Sequence, residues 1–76
     1  MNHSLKLQLN QVDGALVRVI GVTERRGWCT TGLQATAAAN DNALDLELNV
    51  LGDRSIDLLV RQLEKLHVVQ RVELAS

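Results

Sequence analysis

The sequence predicts an α+β domain: a four-stranded antiparallel sheet with two helices on one face, in the order β-α-β-β-α-β. Three observations predict it. Apolar and polar residues alternate in four separate segments, the period of a strand with one buried face. Two intervening segments change to the 3.6-residue period of an amphipathic helix. The chain has 76 residues, 46% of them hydrophobic, which suffices for one small core and not for two.

Residues 4–10 alternate strictly, with Leu5, Leu7 and Leu9 on one side and Lys6, Gln8 and Asn10 on the other. Over residues 13–26 the period changes, and Leu16, Val19, Ile20 and Thr23 share one helical face. Asp13 is the expected N-cap, and Gly27 the expected stop just past the basic last turn, Arg25-Arg26. Residues 28–39 are small and extended. Cys29, Thr31, Leu33, Ala35 and Ala37 are expected on one face, Trp28, Thr30, Gln34 and Thr36 on the other. Asn40-Asp41-Asn42 is a turn tract. Residues 43–50 alternate again, Leu44, Leu46, Leu48 and Val50 facing inward, so the two segments form a hairpin. Asp53 or Ser55 starts a second helix over 54–66, striped by Ile56, Leu59, Val60, Leu63 and Leu66. Residues 68–74 make the last strand, with Val68, Val72 and Leu74 inward.

Right-handed crossovers then give the spatial order 4-1-3-2, a ferredoxin-like sandwich. The free face of that sheet carries Arg71 and Glu73, Lys6 and Gln8, Asp45 and Glu47, then Gln34 and Thr36. Opposite charges fall on neighbouring strands, which supports the order.

Composition excludes several function classes. Eight Lys+Arg against nine Asp+Glu give a net charge of -1, so no long-range field draws the chain to nucleic acid or an anionic membrane. Trp28 is the only aromatic, which leaves the middle strands without a base-stacking platform. No apolar run reaches the 18 or so residues of a membrane span, and the start of the chain has no secretion-signal pattern. A single cysteine cannot make an internal disulfide, and a reducing cytoplasm is the expected location.

No catalytic set or metal site assembles. His3 and His67 are far apart in sequence without ligand spacing, and His67 reads as a cation at a helix end. Cys29 has no activating base nearby in sequence and reads as a small inward-facing core thiol. Asp45 and Glu47 belong to a solvated face. The expectation is a protein with no catalytic residues and no cofactor.

Two segments do carry information. The first strand–helix turn, Asn10-Gln11-Val12-Asp13-Gly14-Ala15-Leu16, opens a helix N-terminus, and Gly14 allows close approach of a ligand or neighbouring chain. The strand 28–39 lies at the sheet edge, uncharged and long, which makes it a pairing site for a second copy. Thr31, Leu33, Ala35, Thr36 and Ala37 are the candidate dimer residues. Leu58, together with Val17 and Val22 flanking the first helix, is left as a candidate partner surface.

Gly14-Ala15-Leu16, Arg18-Val19-Ile20-Gly21 and Arg26-Gly27-Trp28 stand in the order of a family signature. The chain resembles the small regulatory subunits of acetolactate synthase, which begin with an ACT domain. Residues 53–59, Gln62-Leu63, Lys65-Leu66 and Val68-Val69 are similar to the short, isozyme II type. The resemblance implies one ACT domain over 1–76, a homodimer, and binding to a thiamine-diphosphate-dependent catalytic large subunit that forms acetolactate for branched-chain amino acid synthesis. It also implies an effector such as valine at the dimer interface, against residues Asn10 to Leu16 and Cys29. Feedback-inhibited relatives have Asn where this chain has Gln11 and Cys29, so the amide pair that holds valine is altered here. The other functional class consistent with the sequence is a free-standing amino-acid-sensing ACT module that regulates a different enzyme.

Overall fold

The computed structural model describes residues 1–37 and 42–76. The elements are β1 (Asn2–Asn10), α1 (Ala15–Arg25), β2 (Cys29–Ala37), β3 (Ala43–Leu51), α2 (Ile56–Glu64) and β4 (Val69–Leu74). The sheet order is β2-β3-β1-β4, with every neighbouring pair antiparallel. This is the predicted ferredoxin-like arrangement. The expected turn at Asn40-Asp41 and the end of the expected second strand, Ala38-Ala39, lie outside the described residues.

Alternation in β1 and β3 works as the sequence implies. Their pairing sets Leu5 against Leu48, Leu7 against Leu46 and Leu9 against Leu44, so the leucines stack on one side. Val19 and Thr23 of α1 and Leu59 and Leu63 of α2 are buried on that side with Leu5, Leu7, Leu9, Leu46, Leu48 and Val50. Each fully buried leucine there contributes about 1.5–3 kcal/mol of transfer free energy. Thr23 satisfies its buried hydroxyl by donating to the Val19 carbonyl at 2.8 Å, within its own helix.

Three details differ from the sequence reading. The N-cap of α1 is Gly14, at φ 81, and no side chain caps the helix. The chain has to reverse from β1 into α1, and a residue with φ > 0 makes that reversal, so glycine takes the boundary and Asp13 stays outside it.

The second difference is a bulge in β2. Thr30 pairs with Val50 but Gly32 pairs with Asn49, so Thr31 is an extra residue. Its hydroxyl donates to the Asn49 carbonyl at 3.3 Å. The extra residue inverts the faces upstream of it. Thr30 turns to the helix side opposite Val50, while Cys29 falls opposite Leu51 and is exposed. The expected core thiol is therefore a surface thiol.

Third, Trp28 is not on the outer face. It is 3% exposed and belongs to the core cluster. The His3 ring meets it edge-on, with centroids 5.7 Å apart.

Candidate functional site

The β1–α1 turn is built by the end of β1 and by Gly14. Asn10 fixes the base of the turn: its side-chain amide donates to the His67 carbonyl at 3.3 Å, its side-chain oxygen accepts from Gln70, and its backbone N–H donates to Val68. The Gln11 backbone N–H donates to the Asn42 carbonyl at 3.0 Å. Beyond these anchors Gln11, Val12, Asp13 and Gly14 are exposed, and Val12 presents 55% of its surface. A Cβ built on Gly14 meets nothing within 4 Å. Ala15 is buried and Leu16 half-buried, so they seat the helix. No side chain caps the first turn of α1; its first N–H, that of Ala15, donates to the Val12 carbonyl at 3.2 Å, and the turn otherwise has the polarity of a helix N-terminus, which suits a carboxylate.

β2 is the second component. It lies at one edge of the sheet and has no charged residue along Cys29–Ala37. The opposite edge, β4, is shorter and carries Arg71 and Glu73. Charge is one of the devices that keep sheet edges from pairing, so the two edges differ in the property that matters. Downstream of the bulge Leu33, Ala35 and Ala37 pair with Leu48, Leu46 and Leu44, which places them on the helix side. Yet Leu33 is 41% exposed and both alanines are exposed too, although Leu48 and Leu46, the partners of Leu33 and Ala35, are buried. The helices cover the centre of the sheet and leave this apolar strip open. Thr36 lies on the other face opposite Asp45, and Thr31 is the bulged residue.

The structure brings Asn10 to Leu16 together as one turn but holds Cys29 apart from it. Cys29 is in the sheet row of Leu51 and Asn2, whereas the turn follows the row of Asn10 and Ala43. Eight residues of extended β1 separate those rows, roughly 27 Å at strand rise. Within one protomer, then, Cys29 does not share a site with Gly14.

Sequence reasoning missed the place of Trp28. Its signal was size: the only aromatic of a small leucine-rich chain is the side chain with most apolar area to bury. Among the described residues no group of three or more His, Cys, Asp or Glu is placed to hold a metal ion. No helix of the described residues is long and apolar enough to cross a membrane.

A sheet of this order, roofed on one side, with an uncapped first turn and one unprotected edge, has the plan of an ACT domain. Residues 11–72 match the ACT domain family. The chain is 32% identical over 76 residues to the acetolactate synthase isozyme 2 small subunit of Escherichia coli (strain K12), covering 100% of this chain and 87% of that relative. It superposes on the crystal structure of the acetolactate synthase small subunit from Thermotoga maritima with a TM-score of 0.86 at 21% identity. That match takes in 97% of this chain and 47% of the other, so the chain spans about half of that structure. The ACT domain from GTP pyrophosphokinase of Chlorobium tepidum superposes with a TM-score of 0.79 at 16% identity, covering 97% of this chain and 96% of that one. The chain belongs to the ACT-domain family, among the acetolactate synthase small subunits of the isozyme 2 type.

Proposed function

We propose that this chain is a non-catalytic regulatory subunit that dimerises through β2 and binds and activates the thiamine-diphosphate-dependent catalytic subunit of acetolactate synthase. The observation that carries the reading is the match of this whole chain to 87% of the E. coli isozyme 2 small subunit. Activation then is a population shift: the small subunit binds the active arrangement of the large subunit more tightly than the inactive one.

The geometry of β2 supports the dimer. Two copies of β2 joined antiparallel about a two-fold axis continue the sheet to eight strands and cover the open strip of Leu33, Ala35 and Ala37. Full overlap of the nine-residue strands centres the axis on Leu33 and sets Cys29 opposite the partner's Ala37. Ala37 lies in the row of Leu44 and Leu9, next to the β1–α1 turn. The pairing thus moves the partner's Cys29 from the far end of the sheet to the level of this protomer's Gly14. An effector such as valine would sit there, its carboxylate on the first-turn N–H groups of α1. Gln11 supplies one amide, and the Cys29 thiol, on the face of the sheet away from α1, is a poor replacement for the second, so amino-acid binding at this seam is weak.

The test is acetolactate formation by the cognate large subunit with and without this chain. Added chain raises the rate. An unchanged rate under conditions where the two proteins co-sediment contradicts the activating role.

A further inference from the structure

The helix layer carries a second feature, independent of the β2 seam. Val22, Arg25 and Arg26 of α1 and Gln62, Lys65 and Leu66 of the α2 region line a groove of ≈ 330 Å³. Arg26 spans it, donating to the Gln62 side-chain oxygen at 2.9 Å. Helical spacing extends both banks by one turn. Arg18 precedes Val22 by four residues on α1, and Leu58 precedes Gln62 by four on α2.

Charge is sorted across this layer. The groove lining holds three cations and no acid, in a chain whose net charge is -1. At 100° per residue Asp57 and Glu64 fall on the flank of α2 away from α1, and Glu24 falls on the flank of α1 away from α2. Between the basic residues the floor is apolar, from half-buried Val22 and Leu66, and exposed Leu58 continues it with 58% of its surface in solvent. Cations at helix C-termini suit the helix dipole. That accounts for Arg25, Arg26 and Lys65 singly, but not for the exposed leucine or for the placement of all three helix acids, Glu24, Asp57 and Glu64, on the outer flanks.

We propose that this groove docks an acidic amphipathic helix of the catalytic subunit, with an apolar side chain on Val22, Leu58 and Leu66 and carboxylates against Arg18, Arg25 and Lys65. The inference rests on the regulatory-subunit reading and specifies the surface that serves it. None of the groove residues lies on β2, so one protomer can engage the groove and the dimer seam together.

Affinity for the cognate large subunit, titrated at several salt concentrations, tests the proposal. Arg25→Glu with Lys65→Glu replaces two exposed cations and leaves the Arg26–Gln62 hydrogen bond in place. This pair weakens association by about tenfold or more and flattens its salt dependence. Leu58→Ala removes an exposed side chain, leaves the fold intact, and weakens association with little change in salt dependence. Affinity unchanged in both variants, with unchanged circular dichroism, overturns the groove while leaving the regulatory reading standing. Failure of the wild-type chain to bind the large subunit overturns both.

Discussion

Gly52 lies directly beneath the indole of Trp28: a Cβ built on Gly52 comes to 2.6 Å from Cε3 of that ring. The two residues join the end of β3 to the start of β2, where the α1–β2 turn delivers the tryptophan into the core. Gly27, at φ 89, makes that turn just after the helix, so the run Arg26-Gly27-Trp28 works as one device. The helix stops, the chain reverses, and the aromatic anchor lands on a surface kept flat by glycine.

Gly52→Ala therefore overpacks the site. The indole has no flexible end to move aside, so the variant loses about 1–3 kcal/mol of stability, read as a lower denaturation midpoint in urea. A midpoint equal to wild type would mean that Trp28 does not rest on Gly52.

Thr30 predicts a change of opposite sign. The bulge turns it toward the helices, where its buried hydroxyl oxygen has no hydrogen-bond partner among the described residues. Thr30→Val removes the unmet polar group at nearly constant shape and raises stability by about 1 kcal/mol. Destabilisation instead would show that the hydroxyl has a partner in solution.

Leu46, at 2% exposure, reports the sheet register. Leu46→Ala costs about 2–5 kcal/mol in chemical denaturation. Cys29, on the opposite face, is the control: Cys29→Ser leaves the midpoint within about 0.5 kcal/mol of wild type, as an exposed site should.

Thr36→Lys places a charge on the outermost strand without entering the core. Charge on an edge opposes pairing, so the variant self-associates more weakly in sedimentation equilibrium while its fold is unchanged. Self-association equal to wild type would move the interface away from β2.

How far the sequence carries depends on the segment. From Ser4 to Asn10 in β1 and from Leu44 to Val50 in β3 polarity alternates at every position, so period, face and partner follow together, and the charges on the free face select the strand order. In β2 the residues Thr30-Thr31-Gly32 are small and nearly neutral in polarity, so a one-residue insertion leaves no trace in the period. Counting through it assigned Cys29 and Trp28 to the wrong sides. The available hint was Gly32, since glycine inside a strand often marks a bulge. The cap of α1 misled for a related reason. Asp13 and Gly14 both favour a helix boundary, and only the backbone path decides that the positive-φ residue takes it. The candidate effector residues were legible as a turn, but their separation from Cys29 follows from strand direction, which appears only once the sheet is assembled.

Leu33→Cys in a Cys29→Ser background tests the β2 seam most directly. In the full-overlap register the two Leu33 positions face each other across the two-fold axis, at the 4.5–5.5 Å Cα separation of antiparallel partners, which is within disulfide range. Mild oxidation should convert the folded protein to a covalent dimer that dissociates under reductant. A chain that stays monomeric under oxidation, with its new thiol still titratable, would contradict the pairing and the shared effector site with it.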